Sequence, residues 1–345
     1  MQTEEFLRKA AALPGLSGNE QAVAQFIAEA FRPLCDEVRI DALNSVIGRI
    51  EGRGPKVMLC AHLDEIGLMV SRIEEDGALR MRNVGGVDPR ILPGMRVTVH
   101  GRETLLGVIG AKAPHLLTEA ERKKNYARDD LFIDLGMKPE RVRELVRVGD
   151  LVQLEGGFTK LLNGRYAGKT MDDRSCVAIL LKTMELLQRT DTSADLYFVA
   201  SCQEEVGGYG AMTAGFGVAP DFGVVLDVTH ARTPGAPALE TCDLDSPAAA
   251  MGPYTHPLLR KKLTDIAKEI NVKLQNEVMP RDTSTDMDDL NIVRGGVPCV
   301  LLELPLKYMH TSVELLDMHA LTETARLLAA YCAAIEPSWR DELWI

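Results

Sequence analysis

The sequence is poor in aromatic residues and in basic charge, and it has no long hydrophobic run. Aromatic residues make up 5% of the 345 residues, and 50 acidic against 39 basic residues give a net charge of −11. An acidic chain without a basic stripe interleaved with aromatic residues repels phosphate backbones and anionic lipids. No stretch approaches the length of a membrane span. We therefore expect neither a nucleic acid nor a membrane as partner.

Paired cysteine motifs are also absent. The seven cysteines are an odd number, contain no C-x-x-C pair, and in several cases lie inside apolar runs. This usage favours reduced, buried thiols over a disulfide framework or a thiolate zinc site. The first residues lack the basic segment followed by an apolar segment that is typical of secretory signals. The sequence therefore predicts a cytoplasmic protein.

The order of apolar segments predicts an α/β main domain that is interrupted by a smaller domain. Strand and helix patterns alternate in residues 1–70 and again in residues 164–345, where short Val/Leu/Ile-rich runs are typical of buried parallel strands. Residues 71–163 contain many short β-prone pieces separated by glycines and prolines, with one short helix, PERVRELV. This change of pattern predicts an inserted β domain. Near the N-terminus, Ser17 and Glu20 have the spacing of a capping box at the start of a helix.

Four apolar runs of the main domain are followed by residues that can bind a metal ion. His62 follows VMLCA, Glu204 and Glu205 follow LYFVASCQ, Asp227 ends FGVVLD, and His310 comes shortly after CVLLELPLKYM. Open α/β sheets bind their ligands just beyond the carboxyl ends of the strands. We therefore expect these side chains to meet at one edge of the sheet.

Two further segments add carboxylates to this set. Asp172 and Asp173 precede Arg174 at the start of a predicted helix. The ordinary role of an acid at this position is to cap the helix N-terminus. The neighbouring guanidinium suggests instead that Arg174 holds one carboxylate while the other spans two cations. Asp64 follows His62 by two residues on the same strand face, where it can accept the second ring N–H of a metal-bound histidine.

The combined residues point to hydrolysis at two metal ions. Two imidazoles and three carboxylates suit two divalent cations with one bridging carboxylate: His62, Asp172, Glu205, Asp227 and His310. Two such ions activate water and polarise a carbonyl oxygen. Adjacent residues leaving a strand point in different directions, so one of the two glutamates could bind a metal while the other faces the attacking water. A glycosidase needs two carboxyls across one bond, which adjacent acids serve poorly and which leaves the histidines without a role.

These motifs resemble those of the tetrahedral, dodecameric metallo-aminopeptidases, a family of glutamyl, leucyl, lysyl and deblocking aminopeptidases. The resemblance covers nearly the whole chain and rests on AHLDEIGLMV, GKTMDDR, QEEVGGYGA, LDVTHA, STD and MHTSVE. It implies a three-layer α/β/α zinc-peptidase-like domain with a small β-barrel-like domain inserted at residues 71–163 for dimerisation or as a lid. It also implies short peptides as substrates and a homo-oligomer, either a dimer or a twelve-subunit shell.

The resemblance further implies a role for each candidate residue. One metal would be held by His62, Asp172 and Asp227, and the other by Asp172, Glu205 and His310. Glu204 would act as general base, and Asp64 would support His62. Zinc or cobalt would be the bound ions, with manganese as a third candidate.

The leading hypothesis is an aminopeptidase that removes single residues from the free N-termini of short peptides. A dimetal deacylase or carboxypeptidase would use the same five ligands. A non-catalytic, metal-stabilised scaffold is the third hypothesis, but structural metal sites are closed and carry no spare carboxylate over an open position. Glu204 is therefore the residue that separates an enzyme from a scaffold.

Overall fold

The structure is a computed structural model and describes residues 2–343. The strands in this part of the chain are β1 (Glu37–Ile40), β2 (Val46–Ile50), β3 (Lys56–His62), β4 (Gly67–Ile73), β5 (Leu79–Val84), β6 (Arg96–His100), β7 (Thr104–Ala111), β8 (Leu131–Asp134), β9 (Leu151–Leu154), β10 (Thr159–Lys160), β11 (Arg165–Gly168), β12 (Asp195–Ser201), β13 (Phe222–His230), β14 (Ala248–Met251), β15 (Gln275–Val278), β16 (Cys299–Leu306) and β17 (Glu314–Asp317). The helices are α1 (Thr3–Ala12), α2 (Gln21–Phe31), α3 (Glu119–Arg122), α4 (Pro139–Leu145), α5 (Met171–Leu187), α6 (Tyr209–Val218), α7 (Pro257–Glu269), α8 (Asp286–Asn291), α9 (Met318–Ala333) and α10 (Trp339–Glu342).

The main domain is built on an eight-stranded sheet with the order β1-β2-β12-β3-β13-β16-β14-β15. The four central strands, β12, β3, β13 and β16, are parallel to one another. Ser201 pairs with His62 at the ends of β12 and β3, and His230 pairs with Leu306 at the ends of β13 and β16, so the carboxyl ends of these strands lie at one edge of the sheet. This arrangement brings the ends of the predicted strands together.

Helices cover both faces of the sheet, because its central strands are apolar on both sides. Alternate residues of β3 enter two different clusters: Val57, Leu59 and Ala61 pack towards α2, α5, α7 and α9. Met58 and Cys60 pack on the opposite face against α6 and α8. The expected three-layer α/β/α architecture is confirmed.

The inserted unit is a closed barrel of six strands, in the order β4-β5-β8-β7-β6-β9. Its first strand begins at Gly67 and its last ends at Leu154. Its interior forms a separate hydrophobic cluster. The predicted helix PERVRELV is α4, whose buried residues belong to this cluster. The prediction of a β-barrel-like unit inside an α/β fold is therefore confirmed.

A small antiparallel sheet, β10-β11-β17, connects the segment before α5 with the segment before α9. Gly168 of β11 pairs with Glu314 of β17. The segment leading from β11 into α5 therefore lies beside the segment that follows His310. This pairing fixes two loops whose sequences are far apart.

The start of α2 differs from the prediction, because the helix begins at Gln21. The Glu20 carboxylate accepts the N–H of Gly18 at 2.6 Å, and the Ser17 hydroxyl donates to Asp64 at 2.6 Å. The predicted capping box is wrong because Ser17 binds a carboxylate 47 residues away in place of a helix N–H.

The cysteines agree with the expectation of buried, unpaired thiols. All seven cysteines lie within the described residues and are unpaired, and six of them are buried. Between residues 2 and 343, every helix is too short or too polar to cross a bilayer.

Candidate active site

A cavity of about 250 Å³ lies at the carboxyl ends of the central strands. Its wall includes all five predicted metal ligands together with Glu204: His62, Asp172, Glu204, Glu205, Asp227 and His310. Larger depressions lie on the barrel, but their walls contain no comparable group of histidines and carboxylates. The residues singled out from the sequence are therefore brought to one place.

Asp172 lies between the two histidines. Its Oδ1 is 3.1 Å from His62 Nε2, and its Oδ2 is 3.2 Å from His310 Nε2. Two ligand atoms on one tetrahedral zinc ion lie about 3.4 Å apart, given zinc–ligand distances near 2.1 Å. Burial raises the pKa of Asp172, but hydrogen bonding to His310 and His62 outweighs it and holds the pKa below its usual range. The spacing suits a carboxylate that shares one cation with each histidine.

The buried carboxylate of Glu314 positions Asp172 and His310 together. Asp172 opens α5 with non-helical dihedral angles and is joined to Asp173 by a cis peptide bond. Its N–H donates to Glu314 Oε2 at 3.1 Å, and the His310 N–H donates to Glu314 Oε1 at 2.9 Å. Sequence reasoning missed Glu314. The one available indication was an acid at the start of the apolar strand ELLD.

Asp64 connects His62 to the segment that carries the two glutamates. Its Oδ1 is 3.4 Å from His62 Nδ1, a long contact for a hydrogen bond. The N–H groups of Glu204 and Glu205 donate to Asp64 at 3.0 and 3.3 Å. With the Ser17 hydroxyl as a further donor, Asp64 is fully buried and well hydrogen-bonded. Asp64 thus fixes the turn that follows β12 relative to the end of β3.

Glu204 and Glu205 point to different histidines. Glu205 Oε1 is 3.4 Å from His310 Nε2, whereas Glu204 Oε2 is 3.9 Å from His62 Nε2. The Glu204 side chain is 14% exposed against 6% for Glu205, so Glu204 is the more open to the cavity. Burial raises the pKa of both carboxyls, and neighbouring acids raise it further. Raised pKa values of this kind are typical of general acids and bases.

Asp227 approaches His62 from the next strand, together with Asp173, which the sequence analysis did not count among the metal ligands. Ligand atoms of His62, Asp173 and Asp227 lie within 4.8 Å of one another, and the same holds for His62, Asp172 and Glu205. Asp173 is fully buried. Burial raises the pKa of Asp173 and of Asp227 well above the ordinary range. Asp173 is therefore a further acid that a cation here would contact or neutralise.

A carbonyl of the barrel orients His310. Its Nδ1 is 2.9 Å from the oxygen of Gly86, in the segment that follows β5. A carbonyl oxygen only accepts, so Nδ1 donates, and the lone pair of Nε2 faces Asp172 and Glu205. A histidine held in this tautomer is ready to bind a metal through Nε2. The inserted barrel thus contributes to the site of the main domain.

Arg174 does not hold Asp172 or its neighbour, so that expectation is wrong. The guanidinium is fully buried. It donates to the carbonyls of Ala10 and Leu63 at 2.5 and 3.0 Å and pairs with Glu65 at 3.2 Å. Residues two apart at a helix start point to different sides, so Arg174 faces α1 while Asp172 faces the cavity.

The donor set fits divalent cations. Among the described residues, no lysine or arginine lines the cavity. Six acids line it: Asp172, Glu204, Glu205, Asp227, Glu277 and Glu303. Buried carboxylates are costly unless a cation or hydrogen bonds compensate them. Imidazole and carboxylate ligands suit zinc, cobalt or manganese.

Comparison with known proteins agrees with this chemistry. Residues 44–327, which include most of the sheet and the whole barrel, match the family described as M42 glutamyl aminopeptidase. The chain is 35% identical to the lysyl aminopeptidase of Pyrococcus furiosus over 341 residues, which cover 96% of this chain and 97% of that protein.

Two solved structures extend the comparison to the fold. A TET aminopeptidase from a marine sediment Thaumarchaeota archaeon superposes with a TM-score of 0.94 at 30% identity, covering 99% of this chain and 98% of that one. The TET1 peptidase of Pyrococcus horikoshii, which can assemble into a tetrahedron or a large octahedral shell, gives a TM-score of 0.85 at 28% identity, covering 97% of this chain and 100% of that one. Site, sequence and fold agree: this chain belongs to the M42 glutamyl aminopeptidase family.

Proposed function

We propose that this metal-dependent aminopeptidase removes single residues from the free N-termini of short peptides with the help of two divalent ions. The observation that carries the proposal is the position of Asp172, whose two oxygens each face a different histidine. A carboxylate in that position can bridge two cations. His62 and Asp227 would complete the first site, and Glu205 and His310 the second.

The bound ions would polarise the scissile carbonyl and lower the pKa of the attacking water. Glu204 would take a proton from that water and deliver it to the leaving amine, because its carboxylate lines the cavity and is more exposed to it than that of Glu205. Asp64 would keep Glu204 in place through the backbone N–H that it accepts. Asp64 is therefore a positioning residue.

A comparison of free and N-acetylated forms of one short peptide tests which end of the substrate the enzyme recognises. We expect cleavage of the free peptide one residue at a time and no cleavage of the acetylated form, because an aminopeptidase binds the free amino group. A deacylase or carboxypeptidase would accept the acetylated peptide. Equal rates on both forms would refute the aminopeptidase proposal.

We propose zinc or cobalt as the ions, with manganese as a third candidate, because imidazole and carboxylate ligands accept all three. Removal of metal by a chelator should abolish activity, and adding back each ion should restore it to a different extent. Metal analysis should give two ions per subunit. Full activity of the metal-free protein would contradict the proposal.

We further propose that residues 71–163 mediate dimerisation and cover the site, and that dimers assemble into a twelve-subunit shell. The assembly reported for the Pyrococcus horikoshii relative supports this proposal. So do Leu106 and Val108, which lie on the outside of the barrel with 75% and 49% exposure. The unpaired cysteines are consistent with a reducing compartment, and we propose the cytoplasm.

A further inference from the structure

Glu303 is a charged residue in the middle of an otherwise apolar central strand. It is the one charged residue of β16, CVLLELPL, and it is fully buried. It pairs in register with Asp227 of β13, so it lies one strand away from a proposed metal ligand. It also lines the same cavity as the metal-binding residues.

The carboxylate of Glu303 lacks a compensating group. Among residues 2–343, no basic, amide or hydroxyl group donates a hydrogen bond to either of its oxygens, and the hydrogen-bonding group nearest to it is another acid. The group beside it is the carboxyl of Glu277, on strand β15, which accepts a hydrogen bond from the Thr229 hydroxyl. Burial raises the pKa of Glu303 well above the ordinary range, and the neighbouring Glu277 raises it further. Two adjacent acids without a cation are costly in a buried cavity wall.

The cavity wall also offers apolar surface that an aliphatic chain can contact. Met279 and Met309 line the wall together with Glu277 and Glu303. Methionine side chains adapt their shape to an apolar chain. A lysine or arginine side chain has such an apolar stem and ends in a cation.

We propose that Glu277 and Glu303 bind the side chain of the substrate's N-terminal residue and select lysine or arginine. This inference rests on the proposed function, because it requires the scissile bond to lie at the metal-binding residues. The cation would lie between the two acids, and its stem would contact the two methionines. An acidic N-terminal residue would be repelled, because the described part of the cavity wall contains no lysine or arginine.

The wild-type enzyme is first tested on substrates that share one leaving group. The N-terminal residue is lysine, arginine, norleucine, leucine or glutamate. Norleucine has the unbranched stem of lysine without the charge, so the lysine-to-norleucine ratio of kcat/KM isolates the cation. We expect this ratio to be about 10-fold to 100-fold in favour of lysine, the range for one charged hydrogen bond. Glutamate should be the poorest substrate.

The variants Glu303→Gln and Glu277→Gln then test the two acids separately. Each should lower the lysine-to-norleucine ratio towards one, because each removes a negative charge with little change in shape. Glu277 is on an edge strand and is half-buried, so its variant remains informative if Glu303→Gln folds poorly. Glu269→Gln is the matched control, since Glu269 is exposed on α7 and its loss should leave the ratio unchanged.

The outcomes separate this inference from the proposed function. If no substrate with a free N-terminus is cleaved, the proposed function fails. If lysine and norleucine are cleaved equally by the wild type, or if both variants keep the wild-type ratio, the inference fails while the proposed function stands. A third metal ion per subunit that is lost in Glu303→Gln would also overturn it, because the acids would then bind a metal and not a side chain.

Discussion

Single carboxylates in this site each hold two other groups. Asp172 faces both histidines, Asp64 accepts the N–H groups of Glu204 and Glu205, and Glu314 accepts those of Asp172 and His310. Loss of one carboxylate therefore disturbs two parts of the site at once. Charged hydrogen bonds of this kind are among the stronger ones in proteins.

Replacement of Glu204 by glutamine tests its role as general base. Glutamine keeps the shape but cannot take a proton, so kcat should fall by about 10²-fold to 10⁴-fold while both metal ions remain bound. Kinetics with metal analysis on the same preparation measures both effects. Turnover near the wild-type rate would remove Glu204 from the mechanism, and the exposed Glu269→Gln variant serves as the control.

Glu20 should make stability depend on pH. Burial raises its pKa from 4.5 to about 7, against the hydrogen bond from Gly18 and with a contribution from Asp64. The folded state therefore holds this proton more tightly than the unfolded chain. The stabilisation is fully present below pH 4.5 and is lost as pH rises towards 7. The resulting decrease in the free energy of unfolding is at most about 3 kcal/mol.

The variant Glu20→Gln should lack this contribution to the pH dependence. Urea denaturation of wild type and variant at pH 5 and about pH 7.5 measures the difference. The wild type should lose more stability than the variant between the two conditions. Parallel pH profiles would show that Glu20 does not titrate in this window.

At the scale of elements, the barrel and the main domain meet at His310. Gly86, after β5, supplies the carbonyl that fixes the tautomer of His310, and β17 supplies Glu314. Two elements that are distant in sequence thus position one ring. The site should therefore be sensitive to changes in the barrel segment that contains Gly86.

The substitution Gly86→Ala tests this contact. A Cβ at this position would lie 2.8 Å from His310 Nδ1, so the ring would have to move. We expect a loss of about 10-fold to 100-fold in metal affinity or activity, as for other partners of metal-binding histidines. Gly295→Ala is the control, since a Cβ there meets nothing within 4 Å. An unchanged metal affinity and activity in Gly86→Ala would contradict the proposed orienting role.

The sequence predicted the elements better than it predicted the contacts between them. His62 ends β3 as expected, whereas β13 continues three residues beyond Asp227 to His230. Both could be identified because each follows an apolar run near the edge at which the parallel strands end. Ser17 and Arg174 were misinterpreted, because their partners are distant in sequence and local spacing does not reveal them. Glu303 was overlooked although a single acid inside CVLLELPL was visible in the sequence. Its environment depends on the adjacent strand β13 and on β15, which lies beyond the other adjacent strand, β14.

At the scale of the whole molecule, the proposed shell predicts a definite mass. Twelve copies of the 37.8 kDa chain give about 450 kDa, and closed symmetric assemblies of identical subunits are the usual form of homo-oligomers. Light scattering at working concentration measures this mass. A charged substitution on the outside of the barrel, Leu106→Glu, should reduce the mass if the barrel mediates association. A wild-type monomer would refute the assembly proposal.

The strand order of the sheet has a consequence for how such enzymes diversify. The residues proposed for hydrolysis come from β3 and β13, from the turn after β12, and from the segments that open α5 and follow β16. Glu277 and Glu303 come instead from β15 and β16. Mutations at these last two positions can change the preferred amino acid without rebuilding the groups that cleave the peptide bond. An ancestral scaffold of this kind therefore needs very few substitutions to acquire a new substrate preference.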